Sequence, residues 1–84
     1  MKPIRLTRHA KEQAIERGVS EEEIIIAIRQ GSRESAKLGR SLCRYNFSFD
    51  AEWAGHHYAI KQVAPVIKDE PDEIVVITVY SFFF

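Results

Sequence analysis

Two short helices are predicted at the start of the chain by the spacing of its apolar and polar positions. Thr7 is a suitable N-cap and Gly18 a suitable left-handed residue after the last turn, so the first helix is expected to span Arg8 to Arg17. Ala10 and Ala14 lie four residues apart and form a thin apolar stripe on it. Because alanine is small, this stripe predicts a close approach to the neighbouring element.

The second helix has the stronger start signal, because Ser20 followed by Glu23 matches a capping box. Arg29 suits its last turn, where a cation interacts favourably with the helix dipole, and Gly31 is expected to end it. The buried face is predicted to consist of four apolar residues, namely Ile24, Ile25, Ala27 and Ile28. Ile26 is expected to point elsewhere, to solvent or to a partner.

From Ser32 onward the apolar residues repeat with a period of two, which is typical of strands. A half-buried antiparallel strand is predicted by four apolar residues that alternate with polar ones, namely Cys43, Tyr45, Phe47 and Phe49. A turn carrying Trp53 is expected over Ala51–Gly55, followed by a strand over His57–Val66. Pro65 should place that second strand at a sheet edge or end it.

The final strand is predicted over Ile74–Tyr80, after a polar hairpin tip at Lys68–Glu73. Because it is apolar on both faces, we expect it at the centre of the sheet. Glu34–Leu38 offers an additional shorter strand. The predicted fold is therefore α+β, with two N-terminal helices packed on a three- to four-stranded antiparallel sheet, as a single domain over residues 1–84.

Composition narrows the class of protein further. The chain has 84 residues, of which 45% are hydrophobic and 29% charged, as in an ordinary single globular domain. Its single cysteine, Cys43, excludes an internal disulfide. The uncharged apolar stretch at residues 74–84 is much shorter than the ~20 residues of a membrane helix, and early Lys and Arg residues interrupt any secretory signal. We therefore expect a cytoplasmic protein that does not enter membranes.

The formal net charge of zero conceals an uneven distribution. Residues 1–44 carry ten Lys or Arg and six acidic residues, whereas residues 45–84 carry two and six, giving net charges of +4 and −4. This polarisation predicts either a positive surface for an anionic partner or simple pairing of the charges in the folded chain.

Candidate chemistry begins on the first helix. His9, Gln13 and Arg17 follow each other at four-residue intervals and therefore share one face. An imidazole moves a proton near neutral pH and a guanidinium holds an anion, so the pair suits phosphate chemistry, although a merely solvated helix face has the same pattern. If Lys61 and Tyr80 meet across the sheet below, the four side chains would form an anion-binding cleft.

Other site classes have less support. His56 and His57 are adjacent on a strand and point to opposite faces, and no zinc motif accompanies them. The acidic tip at 69–73 lacks the spacing of a calcium loop. The sequence contains no nucleophile elbow, Walker loop or Gly-x-Gly-x-x-Gly motif, which argues against serine hydrolases, nucleotide hydrolases and Rossmann enzymes. We expect neither a metal nor a cofactor.

Three motifs together carry a resemblance to a known family: Thr7-Arg8-His9-Ala10, Glu16-Arg17-Gly18-Val19-Ser20 and Ile77-Thr78-Val79-Tyr80. In their order and spacing the chain resembles the domain-of-unknown-function 4258 family, over roughly residues 6 to 80. That family is similar to the RelE/ParE- and BrnT-type toxin-like folds, many of which cleave RNA and pair with an antitoxin. The resemblance therefore implies a small helix-and-sheet protein with this type of activity and partner.

The resemblance also implies a site. His9 would act as base or acid, Arg17 and Lys61 would hold the phosphate, and Tyr80 would be a weak acid or a surface on which a base stacks. RNA would be held by four basic residues, namely Arg33, Lys37, Arg40 and Arg44.

Two hypotheses remain from the sequence. The first is a toxin-like, metal-independent endoribonuclease of a toxin–antitoxin-type pair. The second is a non-catalytic protein-binding module of the same fold, favoured by Ile26, Trp53 and the terminal Phe82-Phe83-Phe84 as exposed apolar groups. RNA, an antitoxin or other protein, and a second copy in a homodimer are the expected partners.

Overall fold

Two helices cover one face of a five-stranded mixed sheet in the computed structural model, which describes residues 2–84. The elements in chain order are β1 (Ile4–Leu6), α1 (Arg8–Glu16), α2 (Glu21–Gln30), β2 (Ser32–Ser35), a 3₁₀ turn (Lys37–Gly39), β3 (Ser41–Trp53), β4 (His56–Asp69) and β5 (Ile74–Phe83). The strand order is β1-β5-β4-β3-β2. β1 pairs with β5 in parallel and every other pairing is antiparallel.

Both helix starts are those predicted. The Thr7 hydroxyl accepts a hydrogen bond from the backbone N–H of Ala10, at 3.1 Å. At α2 the Ser20 hydroxyl accepts from the N–H of Glu23 at 3.1 Å, and the Glu23 carboxylate accepts from the N–H of Ser20 at 2.9 Å, so the capping box is complete. Gly18 follows α1 with a φ of +67°, in the left-handed region.

Replacing Ser20 with alanine removes the acceptor for one otherwise unsatisfied N–H at the start of α2. We expect the free energy of unfolding to fall by about 1 kcal/mol, measured by urea denaturation. Ser48→Ala is the matched control, because Ser48 is an exposed residue within β3, and it should change stability by less than ~0.5 kcal/mol. Equal midpoints for the two variants would contradict a stabilising role for the cap.

The core lies between the helices and the sheet. Its residues are Ala10, Ala14, Val19, Ile24, Ala27, Ile28, Cys43, Val63, Ile67, Ile74, Val76 and Val79. The prediction for α2 was wrong at one position, because Ile25 is 38% exposed whereas Ile26 is half-buried. Ile24, Ala27 and Ile28 follow the i, i+3, i+4 spacing that faces the core, and Ile25 lies to one side of that stripe.

The sheet is larger than predicted and is arranged differently. β1, a three-residue strand, was not predicted, and its parallel pairing with Ile74–Val76 makes the sheet mixed rather than antiparallel. The centre of the sheet is β4, not the final strand. β3 continues through Trp53, so the turn that joins it to β4 is confined to Ala54 and Gly55.

Ion pairs hold β1 against the hairpin tip between β4 and β5. The Arg5 guanidinium donates two hydrogen bonds to the Glu73 carboxylate, at 3.0 and 3.1 Å, and Lys2 pairs with Asp69. These partners lower the pKa of Glu73 and of Asp69, because hydrogen bonds from a cation favour the ionised carboxylate.

Pro65 lies in the central strand and is buried, contrary to the expectation that it would mark an edge. Ile60 and Phe84 exchange both backbone hydrogen bonds. Hydrogen-bonded and non-hydrogen-bonded pairs alternate along an antiparallel ladder, so the Pro65–Val79 pair is a non-hydrogen-bonded one. The nitrogen of Pro65 therefore faces β3 and not β5. The pairing of β4 with β3 is interrupted there, between Tyr45–Val63 and Leu42–Val66. The fold therefore accommodates proline by giving up pairing on one side of β4.

One face of the sheet, which we call the open face, lies opposite the helices. Residues directly across neighbouring strands share a face, and the pairs connect Leu42 with Val66 and Thr78, Asn46 with Gln62 and Phe82, and Ala64 with Tyr80. A bulge at Val66/Ile67 leaves Ile77 unpaired with β4. Because of this extra residue, Val76 and Val79 both contribute to the core although they are three positions apart.

An aromatic cluster lies beside the turn between the two helices. Trp53 stacks on Phe83 with ring centroids 5.1 Å apart, and Phe49 and Tyr58 also contact Phe83, at 5.2 and 5.6 Å. The Trp53 ring lies directly over Gly18. Trp53, expected in a turn as an exposed group, is therefore a half-buried strand residue.

Candidate functional site

The candidate site follows the free edge of β5. β1 covers this strand only at Ile74–Val76, so from Ile77 onward β5 is the edge of the sheet. α1 packs along it on the helix side. Side chains from the outer face of α1 therefore lie beside an unpaired strand edge.

His9 and Thr78 meet across this edge. The imidazole Nε2 and the Thr78 hydroxyl are 3.1 Å apart, and His9 is exposed. Thr78 projects from the open face, so the imidazole reaches around β5 from the helix side. Within residues 2–84 no other hydrogen bond engages the imidazole. One ring nitrogen is thus bound by a hydroxyl, and the other has no hydrogen-bond partner among the described residues.

Arg17 and Tyr80 meet in the same way two residues along the strand. The guanidinium carbon lies 5.3 Å from the centre of the Tyr80 ring, a cation–π distance, and Tyr80 is 40% exposed. Arg17 Nε donates to the Gln13 side-chain oxygen at 3.0 Å, and the Ser81 hydroxyl donates to the Arg17 carbonyl at 3.1 Å. The Ser81 bond holds the end of α1 against β5, and the Gln13 bond orients the guanidinium.

We call the group His9, Gln13, Arg17, Thr78 and Tyr80 the edge row. At one end of the row His9 contacts Thr78, and at the other end Arg17 contacts Tyr80. Among the described residues Arg17 forms no salt bridge, so its charge is not neutralised by a carboxylate. The row can therefore offer an imidazole and an uncompensated cation to one ligand.

Lys61 is not brought to the edge row. It lies on the helix side, buried, and its ammonium donates to the Glu23 carboxylate at 2.9 Å and to the Gly18 carbonyl. Its cross-strand partners are Phe47 and Phe83, whereas Tyr80 is on the open face. The amine is occupied in joining β4 to the turn between the helices.

The four basic residues expected to hold RNA do not form one surface. Arg33 donates to the Ile28 carbonyl at 3.3 Å, on the helix side. Arg44 is on the open face, where it contacts Glu34 at 3.1 Å and Gln62 at 2.9 Å. Lys37 begins the 3₁₀ turn between β2 and β3, and Arg40 follows it. Adjacent strands thus direct Arg33 and Arg44 to opposite faces.

The remaining candidate groups have local partners. Burial raises the pKa of the Cys43 thiol, although nearby Arg33 opposes this, so Cys43 acts as a packing residue. His57 Nε2 lies 2.7 Å from Asp50. In the part of the chain that the structure describes, no three His, Cys, Asp or Glu side chains gather as a metal site, and no helix is long and apolar enough to cross a membrane.

Two contributors to this region were not assigned to it from the sequence, where Phe82 was named only among the exposed terminal aromatics. Phe82, 41% exposed, lies beside Tyr80 on the open face, and the Arg44 guanidinium carbon is 5.7 Å from its ring centre. The spacing of two between Tyr80 and Phe82 already placed them on one face. Gln62 was given no role, and only the strand register shows that it lies beside Phe82.

Together the fold and the edge row define a two-layer α+β domain with a polar, partly cationic site at a sheet edge. The chain belongs to the family described as Domain of unknown function (DUF4258), whose model matches residues 6–81. The predicted membership is thereby confirmed. A search of curated proteins and of solved structures found no match. The similarity to RelE/ParE- and BrnT-type toxin-like folds stays a prediction.

Proposed function

We propose that the protein is a toxin-like, metal-independent endoribonuclease that pairs with an antitoxin. The observation that carries this proposal is the edge row, in which an exposed imidazole held by Thr78 and an unneutralised guanidinium held by Gln13 lie along one strand edge. Cleavage by the RNA 2′-hydroxyl needs a proton acceptor, a cation at the phosphate and a proton donor, and these two groups together with Tyr80 would supply all three.

The chemistry would be divided along the row. When Nε2 of His9 carries its proton and donates to Thr78, the other ring nitrogen is available to take the 2′-hydroxyl proton. Arg17 would stabilise the charge that develops on the phosphate, and Tyr80 beside it would protonate the leaving oxygen or support a base. Lys61 would contribute only through the position of Gly18, which follows Arg17.

The test is cleavage of single-stranded RNA in the presence of EDTA, together with growth of cells that express the chain. Replacing His9 with alanine should slow cleavage about 100-fold and relieve growth arrest, because a general acid or base is lost. Arg17→Ala should have a similar effect through the phosphate.

His56→Ala and Arg8→Ala are matched controls, since both residues are exposed and lie outside the edge row. They should cut RNA at the wild-type rate. Harmless expression together with uncut RNA, or equal loss of activity in the controls, would overturn the proposal.

A second candidate function is a non-catalytic protein-binding module. It is favoured by three exposed aromatic residues near the end of β5, with exposures of 40% for Tyr80, 41% for Phe82 and 62% for Phe84. A partner protein, or a second copy forming a homodimer, could cover them and pair with the free edge. Under this function His9→Ala and Arg17→Ala would leave growth unaffected.

A further inference from the structure

A stacked pair of aromatic rings lies on the open face directly beside the edge row. Tyr80 and Phe82 have ring centroids 6.5 Å apart and planes inclined by only 24°. They are two residues apart on β5 and point to the same side. Both remain about two-fifths exposed, so part of each ring is open to a ligand.

An arginine lies over each ring. Arg17 is 5.3 Å from the Tyr80 ring centre and Arg44 is 5.7 Å from that of Phe82. Arg44 is held by Glu34 and Gln62, whereas Arg17 is held by an amide alone. Arg17, Tyr80, Phe82 and Arg44 therefore contact one another in that order and form a strip on the open face.

Amide groups extend the strip across the sheet. Gln62, the cross-strand partner of Phe82, donates to the Asn46 side-chain oxygen at 2.8 Å. Side-chain amides offer both donors and acceptors, which suit the edges of nucleobases. An apolar protein surface would leave the unneutralised charge of Arg17 without a partner, whereas an RNA phosphate would pair with it.

We infer that Tyr80 and Phe82, with Arg17 and Arg44, form a platform on which single-stranded RNA stacks two bases, with the backbone passing His9. Aromatic rings hold unpaired bases by stacking, and arginines beside them hold the phosphates. The bases of a duplex are already stacked on each other, so the platform selects single strands. This assignment of the substrate rests on the proposed function for cleavage at His9, but binding itself does not require cleavage.

The experiment measures binding separately from cleavage. A fluorescently labelled single-stranded RNA with 2′-O-methyl riboses cannot be cut by 2′-hydroxyl attack, and its affinity is read by anisotropy. Tyr80→Leu and Phe82→Leu should each weaken binding roughly 5- to 100-fold, because one stacking surface is lost. Phe82→Tyr, which keeps an aromatic ring, should retain most of the affinity. Ile15→Ala removes a side chain that is 80% exposed on α1, outside the platform, and should bind as the wild type does.

Salt and strandedness provide independent readouts. Affinity should fall as salt rises, with a log–log slope of about −0.7 for each phosphate contact on a single strand, and Arg44→Gln should make that slope shallower. Urea midpoints measured for every variant separate lost stacking from unfolding. A duplex of the same sequence should bind more weakly than the single strand.

Binding that is unchanged in both leucine variants, a wild type that binds no oligomer, or equal affinity for duplex would each overturn the platform. A wild type that fails to bind RNA while Phe82→Leu abolishes a complex with a protein would identify the open face as a protein interface instead. If the oligomer binds through the platform but unmodified RNA stays intact, the platform stands and the nuclease proposal fails. If RNA is cut equally well by both leucine variants, the platform and the role of Tyr80 as acid fail, whereas cleavage that depends on His9 and Arg17 stands.

Discussion

Replacing Lys61 with alanine is expected to lower the free energy of unfolding by about 3 kcal/mol. The lysine side chain is 8% exposed and its ammonium is bound by the Glu23 carboxylate and the Gly18 carbonyl. Alanine would leave the carboxylate, only 23% exposed, without its cation and would leave space in the core. Urea denaturation monitored by Trp53 fluorescence measures the change.

Two variants establish the cause of that loss. Lys68→Ala removes an exposed lysine whose nearest carboxylate, on Glu70, is 3.5 Å away, and it should cost less than ~1 kcal/mol. Lys61→Met combined with Glu23→Gln removes both charges but keeps the side-chain oxygen that accepts from Ser20. It should be more stable than Lys61→Met alone. A Lys61→Ala protein that unfolds at the wild-type midpoint would contradict the described pairing.

Replacing Gly18 with alanine is expected to destabilise the fold by about 2–4 kcal/mol, for two reasons that add. Its φ of +67° is unfavourable for a residue with a side chain, at a cost of ~1–2 kcal/mol. A Cβ there would also lie 2.5 Å from a carbon of the Trp53 ring, which is held in place by Phe83. The same urea titration, read by circular dichroism, gives the difference.

Gly39 offers a control matched in backbone conformation. Its φ is +70°, and a Cβ built there meets nothing within 4 Å. Gly39→Ala should therefore show the backbone cost alone, and the excess in Gly18→Ala should shrink when Trp53 is replaced by leucine. Similar losses at the two glycines would show that Trp53 does not restrict position 18.

The helices were predictable from sequence because their end signals are local. Thr7 and the Ser20–Glu23 capping box act within one turn, and the structure uses them as expected. The face shared by His9, Gln13 and Arg17 was likewise predictable, since helical geometry alone sets it. The helical spacing does not indicate which strand residues lie opposite this face of α1.

The sheet was less predictable because its arrangement depends on distant residues. Three residues at Ile4–Leu6 carry too little pattern to indicate a strand, and only the parallel partner on β5 defines it. The bulge at Ile77 moves Thr78 and Tyr80 to the face opposite Lys61, which simple alternation cannot show. The resemblance implied a phosphate-binding role for Lys61, whereas in the structure its amine is bound by groups 38 and 43 residues away in sequence.

The contact between His9 and Thr78 joins residues 69 positions apart in the chain. The ribosome makes α1 before β5, so a growing polypeptide contains the imidazole before the hydroxyl that holds it. β1 must also wait for β5. Any activity that depends on this contact would consequently be absent until β5 has been synthesised and has joined the sheet.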